Sequence, residues 1–202
     1  MENIKIHRIP LGAYQCNCYL IENILTGNAL IIDCGDGLGF QKYIDENNIK
    51  VNIKYGLLTH GHFDHVMGVE YIQKNYGTIF FMGVEDLKAQ YEEPYLFPKL
   101  KDINVVYDGL DMNFEDFKVR TIATPGHTKG SISYLFENNV FTGDTLFKGN
   151  IGRTDLYGGD SIEILNSIKN KLYTLPENTV VYSGHGEETT IGEEIRNNEF
   201  VI

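Results

Sequence analysis

The run His60-Gly61-His62-Phe63-Asp64-His65 constrains this chain more than any other stretch, because it needs a fold that turns four polar side chains toward shared interior points. It follows Tyr55-Gly56-Leu57-Leu58-Thr59, which reads as a buried strand, and precedes a helical period from Val66 to Asn75. The run therefore falls on a strand-to-helix loop, where folds of this kind keep their chemistry. It holds three of the six histidines in the 202-residue chain. Two more stand in Pro125-Gly126-His127 and Ser183-Gly184-His185, with Thr142-Gly143-Asp144 between them. Imidazoles and carboxylates grouped in this way point to a metal site.

Apolar, β-branched runs at residues 4–9, 18–21, 29–33, 53–59, 78–82, 103–107, 117–123, 131–136, 140–142 and 179–183 predict strands. Helical periods cover residues 38–47, 66–75 and 161–172. The last shows an apolar stripe of Ile162, Leu165, Ile168 and Leu172, with Asp160 as N-cap. A short helix is expected near residues 84–90 and a last one from Ile191. Two blocks of strands, each with helices returning over it, predict an α/β (α+β) fold of two face-to-face sheets with helices outside. No linker or repeat interrupts the chain, so residues 1–202 read as one domain. Residues 91–101, with Pro94, Pro98, Tyr91, Tyr95 and Phe97, break the regularity and read as a lid, a pocket wall or a surface connection.

A 42% hydrophobic content supplies a sizeable core, and a net charge of −11 disfavours a nucleic-acid partner. No membrane-spanning apolar stretch and no signal-peptide pattern after Met1 are present, which predicts a cytoplasmic protein that does not engage membranes. Cys16, Cys18 and Cys34 are expected to be buried, reduced thiols; Cys16 and Cys18 lack the second pair a thiolate metal clip requires.

Five histidines and two aspartates exceed the three protein ligands of a catalytic zinc, so two ions use them more naturally than one. His60, His62 and His127 are assigned to one ion and Asp64, His65 and His185 to the other, with Asp144 bridging both. Asp33, ending an apolar strand, is placed to accept an N–H from a ligand histidine or to cap its turn. Thr59, Thr124 and Thr145 stand beside these residues, whereas His7 has only its own strand around it.

With these residues assembled, the chain resembles the metallo-β-lactamase superfamily of metallohydrolases. The Asp33 turn, the histidine-rich loop, Pro125 to Thr128, Gly143 to Phe147 and Gly184 to Gly186 occur in that family's order. The resemblance implies a four-layer αββα sandwich of two mixed sheets. Through the run Gly143 to Gly152 and Arg153, the chain is most similar to the glyoxalase II-like branch, whose members hydrolyse hydroxyacyl thioesters of glutathione with a dinuclear zinc, iron or manganese centre. The chain resembles the compact group without the C-terminal helical domain. It keeps a basic residue at Arg153 but has Asp155 where the branch has a tyrosine.

The expected activity is attack by a hydroxide held on two divalent ions on a small-molecule thioester such as S-lactoylglutathione, with Asp64 orienting the hydroxide. Arg153 and Lys148 are candidates for a substrate carboxylate, or else for surface ion pairs. The runner-up is a persulfide dioxygenase-like enzyme, which the resemblance implies would hold a single iron on His60, His127 and Asp144. A lactonase of the same superfamily shares the whole ligand set. A non-catalytic metal-binding protein would be expected to lack a ligand, and none is missing.

Overall fold

The computed structural model describes residues 3–201. Its first sheet runs in chain order through β1 (Ile4–Leu11), β2 (Cys16–Asn23), β3 (Asn28–Ile32), β4 (Asn52–Leu57), β5 (Ile79–Gly83) and β6 (Ile103–Val106). β1, β2 and β3 pair antiparallel through tight connections, while β3 to β6 pair parallel. Parallel neighbours need long crossovers. These are supplied by α1 (Gly37–Glu46), by α2 (Phe63–Val66) with α3 (Val69–Tyr76), and by α4 (Val84–Ala89) with the irregular residues 91–101.

The second sheet is built from β7 (Asp111–Phe114), β8 (Phe117–Ala123), β9 (Ile132–Phe136), β10 (Asn139–Gly143), β13 (Val180–Ser183) and β14 (Thr189–Thr190). Between β10 and its parallel neighbour β13 lie a small hairpin, β11 (Leu146–Phe147) and β12 (Asn150–Ile151), and then α5 (Ser161–Asn170). α6 (Ile191–Asn197) follows β14.

Three apolar layers hold these elements together. Leu30, Ile32, Leu57, Phe114, Phe136 and Phe141 fill the space between the sheets. Phe40, Ile44, Val69 and Ile72 seat α1 and α3 on the outer face of the first sheet, and Ile164, Ile168 and Ile191 seat α5 and α6 on that of the second. The result is the four-layer αββα sandwich of two mixed sheets that the sequence predicts. β3 shows why its run is continuously apolar: Ala29 and Ile31 face the helices while Leu30 and Ile32 face the other sheet.

Two helices differ from expectation. In α5 the buried face is Ile164 and Ile168, continued by Leu172, whereas Ile162 is 71% exposed. Residues 164, 168 and 172 recur every four positions along one side, and Ile162 stands about 200° around from Ile164. Asp160 caps the helix as expected, accepting from the N–H groups of Ile162 and Glu163 at 2.8 and 2.9 Å. The predicted helix at 66–75 is two helices broken at Met67-Gly68. The break lets Gly68 press against Cys34, where a β-carbon would stand 2.5 Å from the sulfur.

Candidate metal centre

The C-terminal ends of parallel strands β3 and β4 in one sheet, and of β10 and β13 in the other, open onto one edge of the sandwich. Asp33 follows β3, His60 and His62 lie on the loop after β4 with Asp64 and His65 in the first turn of α2, Asp144 follows β10, and His185 follows β13. The loop between β8 and β9 adds His127. All seven residues assigned to two ions converge there. His60, His62 and His127 form one group, Asp64, His65 and His185 form a second, which Cys16 joins, and His60, His65 and Asp144 form a third that links the two. Within each group the donor atoms all lie within 4.8 Å of one another.

The separations between carboxylate and imidazole donors suit metal ligands better than hydrogen-bonded pairs. In a tetrahedral site with bonds of about 2.0–2.1 Å, neighbouring ligand atoms are about 3.3 Å apart, longer than a charge-assisted hydrogen bond. Nε2 of His65 is 3.3 Å from Oδ1 of Asp144, and Nε2 of His185 is 3.3 Å from Oδ2 of Asp64. Oδ2 of Asp144 stands 3.6 Å from Nε2 of both His127 and His185, reaching a member of each group. Nδ1 of His62 and Nε2 of His127, at 3.0 Å, are within hydrogen-bond distance of each other. Nε2 of His60 and of His65, and Oδ1 of Asp144, are buried with no hydrogen-bond partner. Orphaned buried polar atoms are costly, and cations placed among them would satisfy all three. The residues fit divalent ions.

The opposite ring nitrogens are tied down. Asp33 Oδ2 accepts from His65 Nδ1 at 2.9 Å and from the Thr59 hydroxyl at 2.7 Å, while Oδ1 accepts from the Thr59 backbone N–H at 2.8 Å. Thr59 Oγ1 lies 3.1 Å from His60 Nδ1, and the carbonyl of Arg153 is 2.8 Å from His127 Nδ1. Each contact leaves Nε2 facing the cluster, which fixes the tautomer a ligand requires. Thr124 and Thr145 bond each other at 3.2 Å and do not touch the histidines.

Electrostatics follow the packing. Burial and the neighbouring imidazoles hold His60 well below the ordinary histidine range and bring His62 down to about 3. Burial alone would lower His65, but Cys16, Asp144 and Asp33 raise it. Burial likewise works to raise Asp144, yet His65, His127 and His185 hold it well below the ordinary carboxylate range. Negative and positive charge thus stabilise each other here without an ion, and a cation would take over the imidazolium's role. Burial pushes the Cys16 thiol up to about 12, with His65 pulling against it.

One residue of the site carries no signal in the sequence. Asp86, at the start of α4 and 1% exposed, accepts from the Gly61 N–H, the Thr128 hydroxyl and the Gly130 N–H, each at 2.8 Å. It thereby ties the loop of His60 and His62 to the loop of His127. Cys16, expected as a buried thiol rather than as half of a clip with Cys18, joins the second donor group, while Cys18, two residues along β2, packs beside Cys34 in the core, away from the donor groups. All three thiols are buried and free, as expected. His7 is buried against Glu22 at 2.9 Å, remote from the cluster.

Arg153 and Lys148 are engaged in ion pairs. The guanidinium of Arg153 makes two bonds of 2.7 Å to Asp155, and Lys148 lies 2.9 Å from Glu187. In the 91–101 segment, Phe97 is buried with its ring centroid 4.9 Å from that of His62, while Tyr91 and Tyr95 are exposed. The segment walls the histidine cluster through Phe97. Beside it, Glu93, Tyr95, Leu96, Asp155, Leu156 and Tyr157 line a cavity of about 390 Å³. A larger one of about 660 Å³ lies between α3 and residues 99–104 and contains no histidine. Among the described residues no helix is long and apolar enough to cross a membrane.

Two donor groups joined through one carboxylate suit a dinuclear metal centre, and hydrolysis is the chemistry such centres commonly serve. The chain belongs to the Metallo-beta-lactamase superfamily, whose profile matches residues 11–185. It is 35% identical to the hydroxyacylglutathione hydrolase GloC of Haemophilus influenzae over 211 residues, covering 98% of each chain. Among solved structures it resembles the BLEG-1 B3 metallo-beta-lactamase at a TM-score of 0.87 and 32% identity, over 98% of this chain and 99% of that one. It also resembles TTHA1623 in a di-iron-bound form, at a TM-score of 0.80 and 31% identity, over 96% and 99% of the two chains.

Proposed function

We propose that this metallohydrolase cleaves hydroxyacyl thioesters, of which S-lactoylglutathione is the type substrate, to a hydroxy acid and a free thiol. In this reading His60, His62 and His127 hold one divalent ion, Asp64, His65 and His185 hold a second, and Asp144 is shared. The observation that carries it is the position of Asp144 Oδ2, 3.6 Å from both His127 and His185. The full-length similarity to a protein named hydroxyacylglutathione hydrolase supports the substrate class. Zinc is the favoured ion for a donor set of imidazoles and carboxylates, with iron and manganese as alternatives.

When bound, such ions supply Lewis acidity and lower the pKa of water from 15.7 toward about 7. The chain's own residues set the stage for that chemistry. Asp64, partly open to solvent and 3.3 Å from His185, would orient an attacking water by accepting its hydrogen bond. Asp33 and Thr59 hold the imidazoles of His65 and His60, and Asp86 locks the two ligand loops together. A thiolate, with a pKa of about 8.5, leaves without a dedicated general acid, which suits a cluster whose polar groups are committed to ions. The cavity bounded by Tyr95, Leu96 and Tyr157 receives the thiol arm, and its carboxylate meets Arg153 by displacing Asp155.

Elemental analysis of the purified protein, run beside assays of S-lactoylglutathione hydrolysis, nitrocefin hydrolysis and persulfide-dependent O₂ uptake, tests the reading. Two ions per chain with thioester cleavage are expected. One iron with persulfide-dependent O₂ uptake overturns it, as does β-lactam cleavage without thioester cleavage.

A further inference from the structure

The second donor group contains a residue that the dinuclear reading leaves unused. Cys16 opens β2, is 1% exposed, and lies within 4.8 Å of the donor atoms of Asp64, His65 and His185. Its sulfur faces the imidazole of His65 and otherwise makes only a long contact, 4.0 Å, to the carbonyl of Asn17. His65, fully buried, holds its Nδ1 on Asp33 and points Nε2, which makes no hydrogen bond and stands 3.3 Å from Asp144 Oδ1, into this group. The position of Cys16 is fixed by its neighbour. The Asn17 backbone N–H donates to the Gly184 carbonyl at 2.7 Å, and its side-chain amide donates to the carbonyls of Ser183 and Gly186 at 3.0 and 2.9 Å. These bonds clamp the start of β2 onto the loop that carries His185.

We propose that Cys16 Sγ is a thiolate donor to the ion held by Asp64, His65 and His185. The proposal rests on the two-ion reading and adds to it a soft, buried ligand beside the partly exposed His185 and Asp64. Sulfur binds as the thiolate, so the thiol proton leaves to solvent as the metal–sulfur bond forms. A thiolate beside imidazoles selects zinc and disfavours manganese, whereas the sulfur-free group of His60, His62 and His127 with the shared Asp144 is less selective. The two positions therefore differ in the ions they accept, with zinc preferred at the second.

The test uses protein expressed in cobalt-supplemented minimal medium, with cobalt counted by elemental analysis and absorption spectra recorded. Two cobalt ions per chain, with a near-ultraviolet thiolate-to-cobalt charge-transfer band, are expected for the wild type. In Cys16→Ser and Cys16→Ala the band is expected to be lost and the visible ligand-field bands kept; Cys18→Ala is expected to retain both. Two cobalt ions without the band, or a band that survives in Cys16→Ser, overturn the proposal and leave the two-ion reading standing. One cobalt with a Cys16-dependent band supports the thiolate and overturns the two-ion reading, and one cobalt without it overturns both. Should the Cys16 variants fail to fold, X-ray absorption of the zinc-loaded wild type decides. A sulfur shell at about 2.3 Å supports the proposal, and a first shell of nitrogen and oxygen alone at about 2.0–2.1 Å overturns it.

Discussion

Removing the Asp86 carboxylate should destabilise the fold and empty the metal centre in one step. Its two oxygens accept the Gly61 and Gly130 backbone N–H groups and the Thr128 hydroxyl, all at 2.8 Å and all buried. In Asp86→Ala the Thr128 hydroxyl keeps Ser131 Oγ at 2.7 Å, but the two backbone donors are orphaned. A buried donor left without a partner costs about 1–3 kcal/mol, so the pair should cost about 3 kcal/mol, with water entering the vacated space offsetting part. For a chain of this size that corresponds to a Tm lowered by about 6–12 °C. Asp86→Asn should lose less. Burial raises the Asp86 carboxyl to about 6 against the pull of Thr128, Gly61 and Gly130, so at neutral pH the fold holds a buried charge that asparagine removes while keeping one acceptor. Thermal unfolding of chelator-treated protein isolates this effect from metal binding, and elemental analysis of untreated protein reads the displacement of the two loops. An Asp86→Ala protein with the wild-type Tm and full metal content would refute the argument.

Further expectations concern the cluster itself. Asp144→Ala should lower metal content and thioester turnover together, and a folded variant with full activity would remove the shared-carboxylate assignment. Gly184→Ala places a β-carbon 2.1 Å from Asp144 Oδ1 and 2.7 Å from His65 Cε1, so metal uptake measured by elemental analysis should fall while the secondary structure seen by circular dichroism persists. The metal-free protein should lose stability on acidification, and His62 carries part of that loss. Its folded value of about 3 lies below the unfolded value of about 6.5, so its contribution is present above pH ~6.5 and is lost as the pH falls, because the unfolded chain takes up the proton first. Between pH 7 and pH 5 this amounts to about 2 kcal/mol, so His62→Asn should flatten the urea-unfolding stability difference between those two pH values by that amount. Arg153→Ala should raise KM for a carboxylate-bearing thioester with little change in kcat, and Asp155→Ala, which frees the guanidinium, should lower it.

The parts of the centre that were legible in the sequence are those whose residue type and local context coincide. His60, His62, Asp64 and His65 sit in one short run from the loop after β4 into the first turn of α2, and His127, Asp144 and His185 each follow a strand and a glycine, so strand ends and ligand chemistry can be read together. The sandwich was legible because its strands are buried on one or both faces and therefore apolar, whereas β7, β14 and the β11–β12 hairpin, two to four residues long, carry too few apolar positions to register a period. The break at Gly68 is a tertiary demand, a close approach to Cys34 thirty-four positions earlier, that helical periodicity does not encode.

Asp86 and Cys16 were illegible for the same reason, and they show what the seven recognisable residues leave undetermined. An aspartate in Val84-Glu85-Asp86 looks like any acidic residue in the first turn of a helix, and its role exists only because β5 delivers that turn beside Gly61 and Gly130. Cys16 looks like a core thiol; it enters the donor group only because Asn17 stitches β2 to the loop of the opposite sheet that carries His185. Motif residues thus establish that ions can be held, while contacts between the sheets and loops establish how rigidly and with what ligand softness. Those are the properties that decide which ion is taken and how firmly it stays, so variation among chains sharing the histidine motif is expected at positions such as 16 and 86 rather than within the motif.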